Sequence, residues 1–235
     1  VKIAKRLLGW CVALFCLIGI SHAESRTWTQ AATGKTITGE LQTVSGNVVR
    51  ILRDGGVAVD VPLAMLGEAD QAYVATWQAQ KSLPPGPVEL TLANAHLCCG
   101  SCRDAVIKAT AGIAGVTVTT EGSNVKIASP DAVKAADAVK AIQDAGYYGV
   151  ASIDAFASKE TYPAAKTKSA TLTGMHLCCG KCVTSASEAI KGVEGVSEVT
   201  GLEKNATEIK IAGDFSPAAL AEALHAAGFH AGGLR

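Results

Sequence analysis

His96-Leu97-Cys98-Cys99-Gly100-Ser101-Cys102 returns, 80 residues on, as His176-Leu177-Cys178-Cys179-Gly180-Lys181-Cys182. Each copy is followed by an Ala/Val-rich run of helical spacing, then by Gly115-Val116 or Gly195-Val196, 13 residues past the last cysteine. A repeat on this scale marks two copies of one small domain rather than one large fold. Six of the eight cysteines lie in the two copies, so the chemistry is expected there.

The cysteines read as ligands or a redox pair rather than as staples. Cys98-Cys99 and Cys178-Cys179 are sequence neighbours, which ordinary disulfide geometry disfavours, and three thiols cannot all pair within one copy. Cys102 and Cys182 fall in the first turn of a predicted helix, where free N–H groups and the positive dipole end favour a thiolate. Cys99 and Cys179 sit just before it on a glycine-containing loop. In extended backbone, residues two apart share a face, so His96 with Cys98, and His176 with Cys178, can bracket the pair.

Outward from the first motif, 88–92 reads as a strand, 101–113 as a helix, and 116–119 with 125–128 as a hairpin. Ser129-Pro130-Asp131 opens a second helix, with Ser129 as cap and Pro130 at the first helical position. Gly146 ends that helix and 148–153 gives a last strand. The order β-α-β-β-α-β is the split ferredoxin-like arrangement. After a polar linker at 156–169 the same order returns, with Ser216-Pro217 opening the last helix. The final strand of the second copy is poorly written, since Ala231-Gly232-Gly233-Leu234-Arg235 has little β propensity.

Before the repeats, 26–77 reads as short strands with turns at Gly34-Lys35, Ser45-Gly46-Asn47 and Asp54-Gly55-Gly56, ending in a short helix through Trp77. The expected class is therefore α+β: a small all-β, barrel-like domain at 24–80 followed by two ferredoxin-like βαββαβ domains at 88–155 and 170–235. The stiff segment Lys81-Ser82-Leu83-Pro84-Pro85-Gly86-Pro87 links them. Arg26-Thr27-Trp28, the Asp54-Gly55 hairpin, Val61-Pro62-Leu63, Leu66 and Asp70-Gln71-Ala72-Tyr73-Val74 resemble the SLA1 homology domain 1 (SHD1) family. That resemblance implies a peptide- or protein-binding role; Trp28, Tyr73 and Trp77 are expected as core before groove.

Residues 1–23 read as a secretory signal peptide: Lys2, Lys5 and Arg6, an apolar run from 7 to 20, and Ser21-His22-Ala23. Cys11 and Cys16 lie inside it as filler. An exported protein, periplasmic or extracellular, would meet the membrane only during export. The full chain balances 21 basic against 21 acidic residues, and loss of the leader turns it faintly acidic, which argues against nucleic acid.

Each repeat resembles the heavy-metal-associated (HMA) domain family of copper chaperones, copper-ATPase extensions and mercury-binding proteins, whose Gly-Met-x-Cys-x-x-Cys precedes a helix and Gly-Val. Ala145-Gly146-Tyr147 and Ala227-Gly228-Phe229 match the family's Ala-Gly-aromatic end of the second helix. The resemblance implies Cys99 with Cys102, and Cys179 with Cys182, as ligand pairs, with Leu97 and Leu177 packing inward where the family has methionine. Cys98, Cys178, His96 and His176 depart from the pattern and offer a third thiolate and an imidazole. Soft thiolates suit Cu(I) foremost, with Zn, Hg or Cd as other occupants. The expected role is non-enzymatic: sequestration or transfer of a soft ion, with a metal donor or acceptor protein as partner. A thiol–disulfide redox protein and a cell-envelope scaffold are the alternatives.

Overall fold

Residues 25–235 are described by the structure, a computed structural model; the expected leader, with Cys11 and Cys16, lies outside them. The chain divides into two units, one ending at Gln78 and the other beginning at Ala79.

In the first unit β1 (Arg26–Thr29), β2 (Thr36–Ser45), β3 (Val48–Arg53) and β4 (Ala58–Pro62) form an antiparallel meander in sequence order. The sheet is not closed into the expected barrel, because something other than β4 takes up the free edge of β1. Gln30 bridges Leu66, Gly67 N donates to Thr29 O (2.8 Å), and Thr29 N donates to the buried Asp70 carboxylate (2.7 Å). Nor is the unit all-β. Helix α1 (Glu68–Lys81) is a full 14-residue element extending past Trp77, and its Val74 joins Trp28, Leu41, Val49, Ile51 and Leu66 in the core. Trp28 is 1% exposed, its indole N–H donating to Gly39 O, with Tyr73 and Trp77 packed against the cluster, so the aromatics act as core. Arg26 lies over the Tyr73 ring and pairs with Asp70 at 2.6 Å, tying β1 to the first turn of α1.

The second unit contains both repeats. The first runs β5 (Val88–Ala93), α2 (Gly100–Thr110), β6 (Thr117–Glu121), β7 (Asn124–Ser129), α3 (Ala132–Asp144) and β8 (Val150–Ala151), with sheet order β6-β7-β5-β8. The second runs β9 (Thr167–Thr173), α4 (Gly180–Lys191), β10 (Val196–Thr200), β11 (Glu208–Phe215) and α5 (Pro217–Ala226), with order β10-β11-β9. These are antiparallel sheets of ferredoxin-like order covered by two helices each. The weakly written last strand of the second copy does not form. Arg235 alone exchanges backbone hydrogen bonds with Thr171, where Ser152 N bonds Thr91 O in the first copy.

Period-2 alternation buries Val88, Leu90 and Leu92 of β5, and helical spacing buries Cys102, Val106 and Thr110 of α2. Cys182, Ala186 and Ile190 repeat this on α4. Helix α3 is capped by Asp131, whose side chain accepts from Lys134 N, rather than by Ser129. Ser-Pro-Asp offers two capping side chains and the carboxylate nearer the helix takes the role; Ser216-Pro217, with no such competitor, caps α5 as expected.

The repeats dock through a pseudo-twofold seam. Tyr147 bridges Phe229, His230 N donates to Gly146 O (3.1 Å), and Tyr148 N donates to Gly228 O (3.0 Å). Gly146 (φ +87°) and Gly228 (φ +81°) occupy left-handed positions just past α3 and α5. A Cβ on Gly146 would stand 2.6 Å from Gly174 O of the second repeat, and one on Gly228 2.6 Å from Asn94 O of the first. Only glycine permits this approach. One continuous apolar core runs through both copies.

Candidate metal centre

The seam brings the two motif loops together. Cys99 and Cys179 are the N-caps of α2 and α4, and Cys102 and Cys182 are fully buried in their first turns, facing the core. Leu97 and Leu177 pack inward beside them. The six thiols form one array, with sulfur–sulfur contacts of 3.4–3.8 Å both within and between the repeats. Cys98 Sγ lies 3.4 Å from Cys179 Sγ and 3.5 Å from Cys182 Sγ, and that pair is separated by 3.6 Å. Its pseudo-twofold mate is Cys178 Sγ, 3.8 Å from Cys99 and 3.6 Å from Cys102, which are 3.5 Å apart. Each triangle thus takes a Cys-x-x-Cys pair from one repeat and the vicinal cysteine from the other. Sulfurs around one ion at a metal–sulfur distance of roughly 2.3 Å stand roughly 3.8–4.0 Å apart, so a slight expansion makes either triangle a soft-metal site.

The thiols differ in acidity. The Cys182 amide lowers the Cys179 thiol to about 6, and the Cys102 amide lowers Cys99, although neither sulfur makes a hydrogen bond of cap geometry. Burial pushes Cys98 and Cys178 up, as does donation to neighbouring sulfurs. Cys182 is also raised by burial, so in this first-turn position desolvation outweighs the dipole expected to favour its thiolate.

The histidines sit at the flanks of the array and are not equivalent. His96 brings a ring nitrogen within 4.8 Å of the Cys98 and Cys182 sulfurs, and His176 one within 4.8 Å of the Cys102, Cys178 and Cys182 sulfurs. His96 stacks on Phe229 (4.4 Å) and hydrogen-bonds to the Ala227 carbonyl, while its Nε2 is buried with no hydrogen-bond partner among the described residues. The bonded nitrogen is therefore Nδ1, which leaves the Nε2 lone pair to face a metal. His176 packs tilted against Tyr147, with ring centroids 4.3 Å apart and planes 31° apart, and its Nε2 shares a 2.7 Å hydrogen bond with the Tyr147 hydroxyl. Burial lowers both imidazoles, His176 to about 4, so both are neutral and ligand-competent near pH 7.

All eight residues singled out in the sequence therefore surround one centre. Tyr147 and Phe229 were not among them. Their recurrence after a glycine at matching places in both copies was the available signal, and only docking puts each beside the other copy's histidine. The array has the donor set for a soft metal ion.

No protein-family model matches the chain, and no curated protein matches it. Among the solved structures that are similar are two from Bacillus subtilis. The solution structure of the N-terminal soluble domains of Bacillus subtilis CopA is 15% identical, covering 65% of this chain and 95% of that one at a TM-score of 0.24. The water-soluble region of the P-type ATPase CopA from Bacillus subtilis is 16% identical, covering 63% and 91% at 0.25.

Proposed function

We propose that this chain is an exported, non-enzymatic soft-metal-binding protein that holds two Cu(I)-class ions, one in each crossed thiolate triangle. The observation that carries this is the placement of Cys98 nearer to Cys179 and Cys182 than to its own repeat's Cys102, from which it is 3.7 Å away. Three thiolates and a low coordination number suit Cu(I); Hg(II), Cd(II) or Zn(II) would fit with recruitment of His96. Sharing both ions between repeats couples metal occupancy to docking, a fitting property for sequestration or hand-over to a partner protein. The basic, apolar, small-residue order of 1–23 supports export. The likeness of 24–80 to SLA1 homology domain 1 supports a protein- or peptide-docking role for the first unit.

The test compares two double variants of the reduced full chain in anaerobic Cu(I) titrations, with sulfur neighbours counted by X-ray absorption. C98S/C179S damages one crossed triangle and leaves Cys178, Cys99 and Cys102 intact, so one ion should be retained at wild-type affinity. C98S/C99S removes a thiol from each triangle, so both sites should weaken. If each repeat instead held its own ion, these two outcomes would be interchanged. If wild type holds soft metal no more tightly than C102S/C182S, the metal reading fails and the thiol–disulfide reading is taken up through the reduction potentials of the Cys-x-x-Cys pairs.

A further inference from the structure

A second cluster of ligating groups contains no sulfur. Glu160, in the linker between the repeats, and His225 and His230, at the end of the second repeat, bring one carboxylate oxygen and two ring nitrogens within 4.8 Å of one another. His225 lies in the last turn of α5, and His230 follows Phe229 at the seam. The imidazoles are nearly parallel, 5° apart in plane with centroids at 6.0 Å. Each is positioned by neighbours outside the trio. Tyr148 of the first repeat stacks on His225 at 3.9 Å, and His230 is 7% exposed and held at its backbone by Gly146 O. The Tyr162 hydroxyl donates to Glu160 Oε2 at 2.8 Å, the outer contact that orients a ligating carboxylate.

A Glu160–His230 ion pair, with His230 Nε2 and Glu160 Oε2 2.8 Å apart, accounts for only part of the arrangement. It leaves His225 Nε2 buried with no hydrogen-bond partner among the described residues, and such orphaned groups are rare because each forfeits its hydration. An ion bound to both imidazoles and the carboxylate would remove that cost and use every polar group present.

The geometry points to Glu160, His225 and His230 as a second metal site, for a borderline divalent cation of the zinc class, that staples the inter-repeat linker to the end of the second repeat. Two imidazoles and one carboxylate, with a fourth position open to water, suit Zn(II) and tolerate Co(II) or Cu(II); without thiolate they are a poor match for Cu(I). The chain then sorts metals by ligand chemistry, soft ions to the thiols and borderline ions to this triad.

The experiment uses tag-free full-length protein whose thiols are first filled with Ag(I), then titrated with Co(II). One Co(II) should bind, with d–d absorption and no sulfur-to-cobalt charge-transfer band. H225Q and H230Q should each weaken binding by more than the roughly 10–100-fold that loss of an outer-shell partner costs. Should Ag(I) fail to occupy the thiols, the shared-array reading falls by itself; the Co(II) titration is then run on protein with its thiols blocked by methyl disulfide formation, and its result still decides the triad. Zn(II) should also slow proteolysis within the linker at 157–166 in wild type but not in H230Q. Absence of Co(II) binding to the thiol-blocked protein, or unchanged binding in both histidine variants, overturns the proposal.

Discussion

Replacing Gly228 by alanine tests whether docking of the repeats makes the thiol array. At φ +81° an alanine pays about 1–2 kcal/mol for the left-handed conformation, and that part falls on the second repeat itself. The added Cβ would also press on the first repeat's backbone, 2.6 Å from Asn94 O and against His96 N. Backbone cannot swing aside as a side chain can, so relief requires the repeats to separate, at about 1–3 kcal/mol for an overpacked contact. That second part opposes docking directly. Soft-metal affinity should then fall by up to about 5–150-fold, because both triangles need the docked state. Gly146→Ala should act alike from the other side of the seam. Gly112→Ala, with nothing within 4 Å of its Cβ, serves as control and should stay within about 0.5 kcal/mol of wild type. The assay is anaerobic Cu(I) competition against a chromophoric chelator, with circular dichroism to confirm that the repeats remain folded. If G146A and G228A both bind two ions with wild-type affinity and sulfur count, the ions do not depend on docking and the crossed triangles are wrong.

Further outcomes follow from other contacts. Asp70→Ala removes the acceptor shared by Arg26 and Thr29 N and should destabilise the first unit by about 2–4 kcal/mol in thermal melts, toward the low side for a broken buried pair because 27% of the Arg26 side chain is exposed. Metal binding should release protons, measurable by pH-stat, since Cys98, Cys178 and Cys182 are raised and must ionise, whereas Cys179, at about 6, is largely thiolate at pH 7. Affinity should therefore fall as pH drops and protons compete for the sulfurs; an affinity flat between pH 8 and pH 5 would exclude thiolate ligation. Tyr147→Phe should free His176 Nε2 and make its surroundings resemble those of His96, raising the nitrogen count in the X-ray absorption of the Cd(II) form; an unchanged spectrum would mean that Tyr147 does not restrain that ligand.

Local chemistry was legible where the local chain decides the outcome. Spacing placed the strands and helices of both repeats, and the weak β propensity of 231–235, which suggests a frayed or very short edge strand, agrees with the strand not forming. What depends on distant partners was not legible. Closure of the first sheet turns on what pairs with β1, and the pattern of 26–62 gives no hint that Asp70 and the segment around Leu66 would take that edge. The acidity of Cys182 went against its helix position because the thiol lies on the helix's core-facing stripe as well as in its first turn. The motif's own spacing describes one repeat at a time and yields two ligand pairs; the linker between the repeats permits a shared site without indicating which thiols meet.

A duplication in sequence becomes a twofold in space here, and each copy completes the other. The vicinal cysteine of one repeat lies beside the other's Cys-x-x-Cys, and each repeat's aromatic packs against the other's histidine. A difference between the copies is therefore felt across the seam. The second repeat has Phe229 where the first has Tyr147, and without that hydroxyl His96, in the first repeat, has an Nε2 with no hydrogen-bond partner among the described residues. The first repeat's tyrosine correspondingly restrains His176 in the second. Two nearly identical motifs thus become two unequal sites, one with an imidazole free to join the sulfurs and one whose imidazole must first give up a hydrogen bond. If each triangle takes an ion as proposed, that inequality favours sequential filling, with the Cys98, Cys179, Cys182 triangle beside His96 the first to take a cation that prefers mixed sulfur and nitrogen ligands.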